Sequence, residues 1–349
     1  MHKTSLFLSA LSLCAVVQAQ TSLVLPPEYA TVYGRGSSAA LGGNSTRTQM
    51  VFAQPFPLNT TVLAVGLRAA GATADRAAFT ADLEVRASST ASAPGALSST
   101  FAANIGSDEV VVVPRQNVNI PAMPANRSAG LFAMIPFSTP FVFGTNSNTN
   151  LNIDLLVFGR SAGASWSTDR GFASTSGMAT TMGRGCGTGT INSTSTGGSY
   201  VAGSTINLTL TNASPNGVAW LLPSADMTEL LPGIPLPFDL GAVGGGSGCD
   251  VLVNPLLFLP TPVDAGGAAT VSIPLGAAAR FNTAWQWIYT VQPSATNPLG
   301  LETTAARRIF IGPEVIVPDA QYVWDLSNVN SPTGNNTTDS VPVVRFEIQ

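Results

Sequence analysis

Apolar and polar residues alternate at every second position in several stretches of the chain. The stretch TINLTLTN, residues 205–212, places its aliphatic side chains on one side and Asn and Thr on the other. The same alternation occurs in LNIDLLVF (151–158), ADLEVRA (81–87), AWQWIYTVQ (284–292) and VRFEIQ (344–349). A period of two is that of a strand with one buried face, and no segment shows a long, capped helical period. The pattern predicts an all-β protein of antiparallel β-sandwich domains, jelly-roll or immunoglobulin-like, with little helix.

Length and local composition suggest how these strands are divided. Residues 161–185, SAGASWSTDRGFASTSGMATTMGRG, are small and polar and carry little strand signal. The chain also exceeds the usual size of one domain. We predict one β-sandwich domain over residues 20–182 and a second over 183–312. Residues 313–349 are predicted to form a tail whose VPVVRFEIQ strand adds to the first domain or to another subunit.

The chain begins MHKTSLFLSALSLCAVVQAQ, which has the features of an export signal. Lys3 gives a basic start, Leu6 to Val17 form a short apolar core, and Val17-Gln18-Ala19 is typical of a signal-peptidase site. The apolar core is too short to span a bilayer, and prolines interrupt the richest later apolar run. We therefore expect residues 1–19 to be a signal peptide and the protein to be secreted or held at the cell surface, with no transmembrane segment after cleavage.

Removal of that segment changes the inventory of ionisable residues. His2 and Lys3 are the only histidine and lysine, so residues 20–349 carry fourteen arginines against nineteen acids, a net charge of −5. Such a chain lacks the clustered cations that bind a nucleic-acid backbone, and we expect no nucleic-acid partner. The missing histidine and lysine also exclude an ordinary Ser-His-Asp triad, Ser–Lys and Schiff-base mechanisms, and histidine-ligated metal sites.

Glycines crowd the stretch MGRGCGTGT, residues 182–190. Their spacing does not complete the dinucleotide fingerprint, and a P-loop needs a lysine that is absent. A zinc site is excluded because no second cysteine lies nearby. Cys186 and Cys249 are the only cysteines after the signal segment, and an exported protein meets oxidising conditions, so we predict that they form a disulfide. The glycines would then permit positive φ and tight turns at the start of the second domain.

Carboxylates and hard oxygen donors remain available for chemistry. Asp82 and Glu84 share one strand face, as do Asp108 and Glu109 near a strand start, and a glycosidase needs two such acids. No cofactor is expected except a structural calcium ion, for which Asn-rich turns offer carbonyl and carboxylate oxygens. The candidate calcium ligands are Asn146, Asn148, Asp154, Asn335 and Asp339.

Aromatic side chains are candidates for stacking on sugar rings. Trp285, Trp287 and Tyr289 form one stripe at strand period, which is more typical of a sandwich core than of a ligand site. Trp166 in the polar segment and Trp324 in the tail are the better candidates for exposed ligand contacts.

The order of several pieces resembles a known kind of secreted protein. The second half is similar to a C-terminal module common in secreted planctomycete-type proteins, through GC at 185–186 and the later runs VAWLLP, LPFDLG, GSGCDVLVNP, VSIPL, AWQWIYTVQ and IFIG. The first half resembles the module that often precedes it, through LPPEYATVYGRG, RTQM, DLEVRASST, STFAANIGSDEVVV, IPFSTPFVF and LNIDLLVFG. That family has no established activity, so the resemblance implies export and β architecture and supplies no catalytic residue.

These observations favour a non-catalytic structural or adhesive protein of the cell surface or extracellular material. Its partners would be extracellular polysaccharide or surface proteins, and the sequence does not fix its oligomeric state. A carbohydrate-binding module, supported by calcium, is the first alternative. A carboxylate-based polysaccharide hydrolase or lyase is the second.

Overall fold

Nearly all regular structure in the protein is antiparallel β-sheet. The computed structural model describes residues 20–34, 36–38, 40–71, 73–161, 166–172, 176–276, 282–312, 319–337 and 340–349, so the predicted signal peptide lies outside the described residues. No α-helix occurs in these ranges. Four short 3-10 helices do, at Pro27–Tyr29, Phe101–Asn104, Thr196–Gly198 and Leu240–Val243. The all-β prediction with little helix is confirmed.

Two facing sheets enclose the larger core, with strands numbered in chain order. One sheet has the spatial order β1 (Thr21–Leu25), β26 (Val344–Ile348), β4 (Thr61–Leu67) and β7 (Ala133–Val142). The other has the order β24 (Asn335–Thr337), β23 (Ala320–Asp325), β3 (Thr46–Ala53), β8 (Asn150–Arg160), β5 (Phe79–Thr90) and β6 (Val110–Ile120). The inward residues of both sheets, such as Phe52, Ile153 and Phe346, form one buried hydrophobic cluster.

Two further sheets enclose a second core. The six-stranded sheet has the order β10 (Met178–Met182), β22 (Ala306–Phe310), β20 (Asn282–Thr290), β13 (Val218–Ser224) and β18 (Leu259–Pro262), with β21 (Leu301–Thr303) also paired to β20. The three-stranded sheet has the order β11 (Thr190–Ser195), β12 (Thr205–Thr211) and β19 (Ala269–Pro274). Trp285, Trp287 and Tyr289 of β20 lie between these sheets, as the stripe predicted.

Three small sheets complete the described architecture. One links β2 (Gly36–Ser38), β9 (Thr168–Phe172) and β25 (Ser340–Pro342). The other two are the pairs β14 (Glu229–Leu231) with β15 (Ile234–Pro235), and β16 (Phe238–Asp239) with β17 (Asp250–Val251).

Strand pairing departs from the predicted division of the chain. The segment 161–185 contains two strands, β9 (TDRGF) and β10 (MATTM), which pair with strands distant in the sequence. β10 pairs with β22 and so belongs to the six-stranded sheet of the second pair. The predicted boundary after residue 182 would assign this strand to the first domain. The C-terminal segment adds strands to the first pair of sheets, which is one of the two predicted placements of the VPVVRFEIQ strand: β26 lies between β1 and β4, and β23 pairs with β3.

A buried ion pair lies where the two pairs of sheets meet. Arg68 and Asp169 have fully buried side chains, and the Arg68 Nη2 atom lies 2.8 Å from the Asp169 Oδ2 atom. The remaining guanidinium donors of Arg68 bond to the backbone carbonyl oxygens of Tyr29 (2.8 Å), Ala129 (2.8 Å) and Val32 (2.9 Å). The charges of Arg68 and Asp169 are thus paired, as burial of charge requires, although the Asp169 Oδ1 atom has no hydrogen bond from a described residue.

The second pair of sheets contributes Arg308 to this junction. The Arg308 side chain comes from β22, donates to the Gly34 carbonyl and, at 2.9 Å, to the Asn282 side chain. The Gly34 backbone N–H in turn donates to Asp169 at 2.6 Å. Apolar residues from both halves, including Val32, Ala129 and Leu222, pack around it in one cluster. The two halves therefore share a packed junction.

Candidate functional site

The two tryptophans expected to be exposed are not. Trp166 is fully buried in the larger core and packs edge-on against Phe79, with ring centroids 6.2 Å apart. Trp324 is half-buried and stacks on Tyr322 at 4.5 Å, so one face of its ring is covered. The prediction that Trp166 contacts a ligand at the surface is wrong, because the side chain is buried in the larger core. The small polar residues around Trp166 in the sequence gave no sign of this burial.

The residues expected to bind calcium are engaged elsewhere. The Asn146 and Asn148 side-chain amides both donate to the Ser89 carbonyl, at 2.8 and 3.1 Å. Asp154 is fully buried in the middle of β8, where Arg47 holds it through a pair at 2.6 Å. This set does not fit a calcium ion, which needs six to eight oxygen ligands.

The other two residues expected to bind calcium are Asn335 and Asp339, and only Asn335 lies in the described part of the chain. Asn335 lies in β24, opposite Trp324, and Asp339 lies outside the described residues. Across the described part of the chain, no group of three or more His, Cys, Asp or Glu side chains is placed to hold a metal ion.

The predicted disulfide is present. Cys186 and Cys249 are joined with an S–S distance of 2.02 Å and Cα atoms 4.8 Å apart. The glycines were expected to permit positive φ, and Gly183 does so with a φ of +68°. Gly189 has a different role, because its backbone lies too close to Tyr289 for a side chain to fit. A Cβ atom at Gly189 would lie 2.5 Å from the ring of Tyr289. The disulfide and this contact fix the chain that leads into β11.

The paired acids noted in the sequence are bonded to arginines or to the backbone. Asp82 pairs with Arg115 at 2.7 Å, and that arginine lowers the pKa of the Asp82 carboxyl. Glu84 pairs with Arg86 at 2.6 Å. Asp108 accepts a hydrogen bond of 2.7 Å from the Ser89 backbone amide. The carboxylates of these candidate pairs are therefore used in local structure.

The outer face of the three-stranded sheet carries a regular array of uncharged polar side chains. Along β12, exposure alternates strictly, so Ile206, Leu208 and Leu210 are buried while the residues between them face outward. β11 and β19 follow the same alternation. We call the outward set the Thr/Asn face: Thr190, Asn192, Thr194, Thr205, Asn207, Thr209, Thr211, Thr270, Ser272 and Pro274.

Strand register aligns this array into rows across the sheet. Asn192 lies opposite Thr209, which lies opposite Thr270. Neighbouring side chains bond to one another: the hydroxyl oxygens of Thr190 and Thr211 are 2.7 Å apart, and other links are 2.7–3.4 Å long. Neighbouring residues within a row are about 4.8 Å apart across the strands, and successive rows are about 6.7 Å apart along a strand. Nine of the ten positions carry a hydroxyl or amide group and none carries a charge.

The Thr/Asn face rests on a rigid support. Beneath it the aliphatic residues of β12 pack on Trp287 and Tyr289 of the facing sheet. The Tyr289 hydroxyl donates to Glu302 at 2.8 Å and accepts the Gly189 backbone N–H at 2.9 Å. Burial and the Glu302 carboxylate raise the pKa of Tyr289, so its hydroxyl keeps its proton. The start of β11 is therefore tied both to the disulfide and to the opposite sheet.

Sequence reasoning missed this surface although its signal was present. The alternation in TINLTLTN predicts one aliphatic face and one Thr/Asn face, but a single strand does not show that the polar face continues across its neighbours. The array becomes visible only when TINSTS, TINLTLT and ATVSIP are placed side by side in register.

The sequence was compared with protein-family models and with curated protein sequences. No protein-family model and no curated protein sequence matches the chain. The similarity to planctomycete-type secreted modules stays a prediction. In the described ranges, no helix has the length and apolar character needed to cross a membrane.

Proposed function

We propose that the protein is an exported, non-catalytic adhesive protein of the cell surface or extracellular material that holds neutral polysaccharide. The observation that carries this proposal is the Thr/Asn face, a surface of hydroxyl and amide groups without charge on a braced sheet. In this proposal the Thr/Asn face, and not Trp166 or Trp324, contacts the sugar.

The chemistry of the face matches a polymer of uncharged sugars. Hydroxyl groups both donate and accept hydrogen bonds, and amides offer two donors and an acceptor, as sugar hydroxyls require. Threonine methyl groups between them provide apolar area for the C–H faces of sugar rings. Each hydrogen bond exchanged with water contributes only about 0.5–1.5 kcal/mol. A repeated array suits a repeating ligand, because many weak contacts then form together.

The use of the ionisable residues supports a role without turnover. Asp169 and Asp154 are buried and paired with arginine, and the acids of the sequence-predicted pairs are also bonded. Export is supported by the features of residues 1–19 and agrees with a disulfide, which persists in oxidising compartments.

A binding panel tests the proposal. The secreted protein, with its disulfide intact, is mixed with insoluble cellulose and chitin and with the acidic polymers alginate and pectate, with calcium and with a chelator. We expect sedimentation with a neutral polymer, independent of calcium, and no release of reducing sugar. Release of sugar would instead favour the hydrolase or lyase. Binding that needs calcium or an acidic polymer would contradict the role given to the Thr/Asn face.

A further inference from the structure

A recess lies at one side of the larger sandwich, lined by residues that are not part of the Thr/Asn face. It is a cleft of about 260 Å³ between β1 of one sheet and the adjoining ends of β3 and β23 of the other. Leu23 and Leu25 of β1 form its accessible apolar wall, with Pro27 and Pro55 at the sides. The cleft is thus deep enough and apolar enough to take a hydrocarbon chain.

Three polar side chains, which we call the rim, are among the residues that line this cleft. Glu28 lies in the 3-10 helix that follows β1, Gln54 follows β3, and Asp319 precedes β23; all three are exposed. Glu28 accepts a hydrogen bond from its own backbone amide. Among the described residues, neither carboxylate forms a salt bridge, and neither Gln54 nor Asp319 has a side-chain hydrogen bond. The rim therefore presents unused acceptor oxygens.

The two carboxylates of the rim repel one another. Desolvation by the surrounding protein raises the pKa of Glu28, and the negative charge of Asp319 raises it further. No cation among the described residues is paired with either acid, in contrast to Asp82, Glu84, Asp154 and Asp169 elsewhere in the chain. A positive group placed between them relieves the repulsion.

We propose that this cleft binds a small aliphatic primary ammonium ion, with its hydrocarbon chain along Leu23 and Leu25 and its charged end at Glu28, Gln54 and Asp319. An ammonium group has three donors, which matches the two carboxylates and the Gln54 amide oxygen. The chain's only lysine is Lys3, so past the predicted signal peptide it has no ammonium side chain of its own to occupy the cleft. A divalent ion fits less well, because it needs more oxygen ligands than this rim offers and gains nothing from an apolar wall.

Ligand-observed NMR titration of the purified protein tests this site. The probe is n-butylammonium, and n-butanol serves as the neutral probe of the same shape. The variants are Glu28→Gln and Asp319→Asn, and the control is Glu229→Gln, which changes an exposed acid outside the cleft. Because each cleft variant removes one charged hydrogen-bond acceptor from the ammonium group, we expect it to weaken n-butylammonium binding by about tenfold or more.

The expected result is saturable n-butylammonium binding that n-butanol does not reproduce and that Glu229→Gln leaves intact. Equal binding of n-butanol, or unchanged affinity in both cleft variants, would overturn the proposal. So would displacement of the ammonium ion by millimolar calcium, which would assign the rim to a metal. Thermal unfolding of each variant confirms that the fold is retained. Since polysaccharide binding is measured separately, the two proposals fail independently.

Discussion

Replacing Asp169 with asparagine should destabilise the whole protein. The substitution keeps the shape of the side chain but removes the charge that faces Arg68 in a site where both side chains are fully buried. Arg68 then keeps its backbone partners but loses the carboxylate at 2.8–2.9 Å, and the Gly34 backbone N–H loses a charged acceptor. Breaking a buried pair by removing one partner costs about 3–5 kcal/mol. We expect Asp169→Asn to lower the free energy of unfolding by about that amount.

Urea unfolding followed by tryptophan fluorescence measures this loss, because Trp166 and Trp287 are fully buried in different cores and report on both halves. Asp82→Asn is the matched control, since Asp82 pairs with Arg115 at the surface. An exposed pair contributes little, so the control should unfold close to the wild type. Equal effects of Asp169→Asn and Asp82→Asn would refute the account of the junction.

Two further perturbations follow from the covalent and ionic structure. Changing both Cys186 and Cys249 to serine opens a loop spanning 63 positions and should lower the free energy of unfolding by about 4 kcal/mol on the chain-entropy model. Urea unfolding of the oxidised protein and of the double variant measures this difference, and equal stability of the two would contradict the prediction. The raised pKa of Glu28 means that its protonation favours the folded state, an advantage complete below the ordinary value of 4.5 and lost as pH rises through the folded value. Glu28→Gln should therefore be more stable than wild type at pH 7 and equal to it at pH 3, and thermal melts showing the opposite trend would reject that sign.

The alternation of apolar and polar residues predicted the strands well where only one face is buried. β12 follows it at every position, with Ile206, Leu208 and Leu210 inward. β20 does not, because both of its faces are covered. Gln286, expected on a solvated face, is fully buried and bonds to the Leu252 backbone amide at 2.8 Å. Alternation identifies one buried face and does not reveal what covers the other.

Long-range pairing limited the prediction most. The sequence identified the C-terminal strand, but its place between β1 and β4 depends on partners more than 270 residues away. Arg68 and Asp169 gave no local signal, because a buried ion pair is recognised only when distant segments meet. Cys186 and Cys249 were predictable because two cysteines allow one pairing. The Thr/Asn face needed three strands in register.

Binding of a Thr/Asn-face variant to the neutral polymer that sediments with the wild type, cellulose or chitin, tests the central claim most directly. Thr190→Val, Thr209→Val and Thr270→Val together remove one hydroxyl from each strand, while valine keeps the size and β-branching of threonine. Thr80→Val in β5 is the control. We predict that the triple variant, with its melting temperature and disulfide retained, sediments with that polymer at least about tenfold more weakly than wild type, as three lost hydrogen bonds imply. Equal binding by the triple variant and the wild type would contradict the account.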